Sequence, residues 1–85
     1  DVETTGLVIA ALPAGDSYVD VLVNGLSYEV GNGVLTKDCY FSVDGGITPK
    51  SIAAIAAADT LYWNGLVTGF DLDTIDKVSM LYNVA

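Results

Sequence analysis

Residues 17–30 read SYVDVLVNGLSYEV, and this stretch decides the fold. Every second residue from 19 to 23 is valine, the period of two that places one face of a strand on a core. Asn24 and Gly25 follow, and both residue types tolerate the positive φ angles of a two-residue type I′ turn. The stretch therefore predicts a β-hairpin, with strands over residues 17–23 and 26–30 and the valine face directed inward.

Turn signals recur about every ten residues along the chain, with short segments of β-branched and aromatic residues between them. Further strands are predicted over residues 4–12, 38–43, 61–63, 66–72 and 77–84, with a second hairpin turn at Asn64 and Gly65. The spacing indicates an all-β fold, either a small antiparallel β-sandwich or a jelly-roll-like barrel of about six to eight short strands. We expect residues 1–85 to form one β-sandwich domain. Because the chain begins with aspartate, we also expect it to be a processed product or an excised piece of a longer chain.

Residues 48–59 favour two different structures. Thr48 before Pro49 has the pattern of an N-cap followed by the first helical residue, and the alanines behind them favour a helix. The apolar run is short, however, and residues 57–59 lie where a turn would enter the next strand. We expect a strand near residues 50–55, with a short helix near residues 49–58 as the alternative.

The composition points to contacts between chains. Hydrophobic residues make up 52% of the 85 residues, and a domain this small has little interior in which to bury them. Part of the apolar surface is therefore expected to lie against another chain, although many alanines and valines also raise the percentage. The single cysteine, Cys39, excludes an internal disulfide, and its expected role is that of a small buried hydrophobe.

The charge excludes one class of partner. Three lysines, no arginine and a net charge of −8 cannot build the basic surface that nucleic acid requires. Anionic membrane surfaces are disfavoured for the same reason, and no apolar run approaches the roughly 18–20 residues of a membrane span. No basic, apolar leader precedes the first predicted strand.

The sequence lacks an assembled catalytic motif. Histidine is absent, a single cysteine cannot form a zinc site, and no glycine-rich phosphate loop occurs. We therefore predict a protein without catalytic residues or cofactor. Asp71, Asp73 and Asp76 are weak candidates for calcium ligands, but their spacing departs from an EF-hand loop, and a solvated acidic turn between two strands is the favoured interpretation. Asp38 and Asp44 are weaker candidates still.

The segment from residue 62 to residue 70 is the predicted contact region. Tyr62 and Trp63 must point to opposite faces of a strand, so one is expected in the core and the other on a surface. Trp63 is either a core residue or a ring displayed to a sugar. We expect the contact with another subunit or a target to involve Tyr62, Trp63, Leu66 and Phe70.

Several stretches resemble a known class of proteins. They are DCYFSVDGG at 38–46, DTLYWNG at 59–65, VLVNGL at 21–26 and the final segment 76–83. Together they resemble small β-structured virion proteins of tailed bacteriophages, namely tail-fibre, appendage and head-decoration modules, over roughly residues 14–83.

The resemblance implies a non-enzymatic component at the extracellular surface of a virion. Such a component is usually a homo-oligomer, often a trimer, that contacts other virion proteins or a receptor. The resemblance supplies no catalytic residues to carry over. The alternative from a different class is a carbohydrate- or receptor-binding module, which requires Trp63 to be exposed.

Overall fold

The computed structural model describes residues 2–10 and 19–82, and six strands lie within these ranges. The strands are β1 Val2–Val8, β2 Asp20–Val23, β3 Leu26–Tyr28, β4 Cys39–Ser42, β5 Thr60–Asn64 and β6 Val78–Leu81. A 3-10 helix, Ile52–Ala54, and a one-turn α-helix, α1 Gly65–Thr68, complete the elements. The predicted strand ends at 11–12, 17–18 and 83–84 lie outside the described residues.

Two antiparallel sheets of three strands each share one core. Their strand orders are β1-β5-β4 and β3-β2-β6. Alternate side chains of both sheets meet in a single buried cluster, as expected when two sheets pack face to face. The cluster comprises Ile9, Val19, Val21, Val23, Cys39, Phe41, Ile55, Leu61 and Trp63. The predicted all-β, sandwich-like fold is thereby confirmed.

The hairpin that joins β2 to β3 has the predicted turn. Asn24 and Gly25 have φ angles of 53° and 83°, and Val23 pairs with Leu26 across the turn. The valines of this segment are buried, while Asp20 on the opposite face is exposed. The alternation of residues therefore predicted correctly which face of β2 is buried.

The strand expected near residues 50–55 is wrong, and the short-helix alternative is closer. The N–H of Lys50 donates to the carbonyl of Phe41 (2.8 Å), which covers the outer edge of β4 at one point. The chain then bonds to itself: the N–H of Ala54 donates to the Ser51 carbonyl at 3.0 Å. Local turn bonds of this kind replace a strand ladder and produce the 3-10 helix.

The second predicted hairpin, at Asn64 and Gly65, is also wrong. Asn64 has φ −107°, outside the left-handed region that a type I′ turn needs, and its side-chain oxygen accepts from the N–H of Leu66. Asn64 is therefore the N-cap of α1. Gly69, at φ 84°, ends the helix and donates its N–H to the Gly65 carbonyl. Residues 66–72 form this turn and a following loop in place of a strand.

No helix among the described residues is long and apolar enough to cross a membrane.

Candidate functional site

Trp63 is a core residue. Its ring is 0% exposed and lies edge-on to Tyr28, with ring centroids 4.9 Å apart. Its Nε1–H donates to the Phe70 carbonyl at 3.0 Å, so the one polar atom of the buried ring has a partner. Because its ring is buried, Trp63 cannot contact a target directly, and its place in the predicted contact set must be corrected. Trp63 instead supports Phe70 from the side of the core. Its burial also removes the feature that motivated the sugar-binding alternative.

Tyr62 points to the opposite face of β5, as predicted for the neighbour of Trp63. Its ring stacks on Tyr40, with centroids 6.0 Å apart and planes at 20°. The turn at Gly46 covers part of the pair, because the Tyr40 hydroxyl donates to the Gly46 carbonyl at 2.6 Å. Tyr62 is half-buried there. The structure therefore does not bring Tyr62 to the same surface as Leu66 and Phe70.

Leu66 and Phe70 lie on an exposed apolar surface at the end of the sandwich. Leu66 is 74% exposed and Phe70 is 42% exposed, and Val67 between them is 44% exposed. Leu35 lies near the start of α1, since its carbonyl accepts from the Nδ2 of Asn64 at 2.8 Å, and its side chain is 47% exposed. We call these four residues (Leu35, Leu66, Val67 and Phe70) the α1 surface. None of them carries a charge.

The backbone beneath the α1 surface is fixed at both ends of the helix. Asn64 caps the start of α1, and Gly69 closes its end. The Thr68 hydroxyl lies within hydrogen-bond distance of two acceptors, the carbonyls of Asn64 (3.3 Å) and Phe70 (3.0 Å), and its single hydrogen can bond either; Trp63 also donates to the Phe70 carbonyl. A surface held in this way loses little conformational entropy when a partner covers it.

Sequence reasoning identified two of the four residues of the α1 surface. Val67 lies between the two predicted residues, and a predicted helix in place of the predicted strand would have included it in the contact set. Leu35 is 29 positions from Asn64 in sequence, and nothing in its own neighbourhood marks it. Its place depends on a tertiary contact that no local pattern reports.

A second candidate is a groove of about 780 Å³ beside β3. Its wall is assembled from three separate parts of the chain, around residues 19–20, 27–38 and 52. Apolar side chains, among them Val30, Val34 and Ile52, alternate with charged ones. A second concavity, near residues 3–5 and 72–78, is smaller at about 320 Å³, and concave surfaces of mixed polarity are where ligands commonly bind.

Two of the aspartates proposed as weak metal candidates, Asp76 and Asp38, accept hydrogen bonds from main-chain N–H groups. Asp76 accepts from the N–H of Asp73 (2.7 Å) and from the Nδ2 of Asn24 (2.9 Å), and these two bonds lower the pKa of its carboxyl. Asp38 accepts from the N–H of Glu29 at 2.9 Å. Among residues 2–10 and 19–82, no three side chains of the types that bind metals converge.

Asp44 organises the turn that follows β4. Its Oδ1 accepts from the Ser42 hydroxyl at 2.6 Å and from the N–H of Thr48 at 2.9 Å. The bond from Ser42, followed by those from Thr48, lowers the pKa of Asp44 to about 2. Asp44 is therefore an ionised turn-forming residue at neutral pH.

Cys39 is buried, as predicted, and is not positioned to react. Burial, with a smaller contribution from the negative charge of Asp38, raises the pKa of its thiol to about 12. A thiol with that pKa is protonated at neutral pH, and only the thiolate is a strong nucleophile.

Comparison of the chain with protein-family models, with curated proteins and with solved structures gave no match.

Proposed function

We propose that this protein is a non-enzymatic structural component of a tailed-bacteriophage virion, a fibre, appendage or capsid-decorating module. It acts through contacts between copies of itself and with other virion proteins. The α1 surface provides the contact between copies. The observation that carries the proposal is the exposure of four uncharged, apolar side chains, three of which lie in or directly after the capped helix α1.

Hydrophobic burial favours contact at the α1 surface. Full burial of a Leu or Phe side chain contributes about 1.5–3 kcal/mol, and these side chains retain between 42% and 74% of their exposure. A partner that covers them would therefore gain roughly 1–2 kcal/mol from each. Stable interfaces bury about 800 Å² on each partner, so the contact must extend to the rim around these residues.

Electrostatics favour the same place. With a net charge of −8, copies of the chain repel one another over most of their surface. The α1 surface contributes nothing to that repulsion, because none of its four side chains is charged. Copies can therefore approach there without bringing charges of these four side chains together, and added salt should strengthen the association.

The assignment to a virion rests on the resemblance of the four sequence stretches to phage modules. An all-β sandwich agrees with it, and so does the use of the aspartates as turn residues. The preference for a trimer comes from the same resemblance.

Size-exclusion chromatography with light scattering tests self-association and counts the subunits. We expect an oligomer that dissociates on dilution and that Leu66→Ser converts to monomer. Ile75→Ser is the matched control, because Ile75 is 80% exposed and lies outside the α1 surface. A wild-type chain that stays monomeric at every concentration and salt level would contradict the proposal, and so would equal effects of the two variants.

Mass spectrometry of purified phage particles tests the location. We expect the chain to be present in particles at a constant ratio to the major virion proteins. Its restriction to the unassembled fraction of the lysate would count against a structural role.

A further inference from the structure

The groove beside β3 carries an excess of negative charge. Asp20, Glu29 and Asp38 line it, and Lys37 is the one cation among its lining residues. The Nζ of Lys37 lies 3.4 Å from a carboxylate oxygen of Glu29, so its charge is already shared with a groove carboxylate. A cation that enters the groove therefore meets a negative potential.

Apolar side chains lie between these charges. Val30, Val34 and Ile52 line the groove together with Tyr28, whose ring packs on Trp63, and Val34 is 40% exposed. A small hydrated cation would leave this apolar surface in water. A ligand that fills the groove must therefore combine positive charge with aliphatic groups.

The edge of β3 adds a peptide group that can bind main chain. In the β2–β3 ladder Leu22 lies opposite Ser27. The pairs on either side of it are Val21 with Tyr28 and Val23 with Leu26. The N–H of Asn24 donates to Lys77 on the side of β6, so alternate residues of β2, including Leu22, direct their peptide groups away from β3. By the same alternation Ser27 directs its N–H and C=O away from β2, towards the groove that it lines.

We propose that this groove binds an extended segment of another protein in which lysine or arginine alternates with aliphatic residues. The aliphatic side chains cover Val30, Val34 and Ile52, and the cations face Asp20 and Asp38. The main chain of the segment pairs with Ser27 alone on this edge, because Asp38 and Cys39 already bond the N–H and C=O of Glu29, the next residue that faces outward.

A second copy of the chain does not fit this description. Its three lysines stand singly at positions 37, 50 and 77, and it has no arginine. Lys50 is held by Asp59 at 2.8 Å, and Lys37 belongs to the groove itself. The partner is therefore a different protein, and the inference does not depend on self-association at the α1 surface.

Binding of synthetic peptides tests the proposal directly. The probe is a fluorescently labelled eight-residue peptide of alternating lysine and valine, measured by fluorescence anisotropy. Matched peptides of alternating glutamate and valine, and of alternating lysine and serine, test the need for charge and for aliphatic groups. We expect saturable binding of the lysine–valine peptide alone, weakened by salt. No binding of that peptide, or equal binding of the lysine–serine peptide, would overturn the proposal.

Two pairs of variants locate the binding. Lys37→Gln and Lys77→Gln change the net charge equally, but only the former removes the cation from the groove. We expect Lys37→Gln to tighten binding by about twofold to fivefold, as removal of a nearby surface charge typically does, and Lys77→Gln to leave it unchanged. Val34→Ser should weaken binding and Val43→Ser, outside the groove, should not. Equal effects within either pair would show non-specific attraction and overturn the proposal. The measurement can be made in the Leu66→Ser background, so that its failure and a failure of self-association are distinguishable.

Discussion

The Nζ of Lys50 lies 2.8 Å from the Oδ2 of Asp59, and these two residues enclose the 3-10 helix that connects the two halves of the chain. The Asp59 side chain is only 3% exposed, and its Oδ2 also accepts from the N–H of Ala56 at 2.8 Å. The main chain of Asp59 pairs with Ile9, which anchors the end of β1 to the start of β5. The pair therefore fixes the position of a loop that local sequence pattern left ambiguous.

Breaking the Lys50–Asp59 pair should destabilise the protein far more than breaking the surface pair of Lys37 and Glu29. Asp59→Ala leaves the ammonium of Lys50 partly buried without its carboxylate and removes the acceptor of Ala56. We expect the free energy of unfolding to fall by about 2–4 kcal/mol, since an uncompensated buried charge costs about 3–5 kcal/mol and Lys50 retains some solvent. The control is Lys37→Ala, whose partner Glu29 is 65% exposed, and we expect it to cost at most about 1 kcal/mol. Urea denaturation measures both, and similar losses would contradict the assignment.

Two glycines with left-handed backbones should differ in their tolerance of alanine. Gly25 has φ 83° and open space where a Cβ would stand, so Gly25→Ala meets conformational strain alone, about 1–2 kcal/mol. Gly46 has φ 87°, and a Cβ there would lie 2.9 Å from the Tyr62 ring. We expect Gly46→Ala to cost about 1–3 kcal/mol more than Gly25→Ala, because the ring and the turn must separate. Thermal unfolding of the two variants in parallel checks the order, and the reverse order would contradict the packing of the turn on Tyr62.

The sequence predicts a hairpin turn at both Asn-Gly dipeptides, correctly at Asn24 and wrongly at Asn64. The difference comes from tertiary contacts. At Asn24 the flanking residues alternate and the turn is exposed, and the distant partners Asp76 and Lys77 bond Asn24 in the left-handed conformation that local turn chemistry prefers. At Asn64 the main-chain N–H donates to Asp38 and the side chain donates to Leu35, and the residue is 3% exposed. These partners lie far away in sequence, and they hold Asn64 outside the left-handed region. Local turn chemistry cannot report such a competition.

The candidate surfaces also combine features that local sequence predicts with features that depend on tertiary contacts. Leu66 and Phe70 could be predicted because surplus apolar residues in a small chain must be exposed somewhere, and this segment concentrates them. The burial of Trp63 could not be decided from alternation alone, since alternation shows only that Trp63 and Tyr62 face opposite sides. The groove could not be foreseen, because its wall joins three separate segments.

The fluorescence of the single tryptophan should report a ring that is shielded from water and does not respond to sugars. Trp63 is 0% exposed, lies edge-on to Tyr28 and donates to a main-chain carbonyl. We expect blue-shifted emission, weak quenching by iodide and no spectral change on titration with oligosaccharides. The emission should move to longer wavelength only when the protein unfolds. A spectral shift on addition of a glycan, with the fold intact, would revive carbohydrate binding and contradict the assignment of Trp63 to the core.

Asp44 should make the stability of the protein depend on pH at the acid end. Its pKa falls from an ordinary value of 3.8 to about 2, chiefly because the Ser42 hydroxyl and then Thr48 bond the ionised form. Since the folded state lowers this pKa, the stabilisation from the ionised carboxylate is fully present above about pH 4 and is lost as the pH falls towards 2. Asp44→Asn should therefore lower stability at neutral pH and make little difference at pH 2. Asp20→Asn, an equal change of charge on the exposed face of β2, is the control for the change in net charge. Unfolding free energies from urea titrations between pH 2 and 7 measure the difference, and a constant gap between wild type and Asp44→Asn over that range would refute the role assigned to the carboxylate.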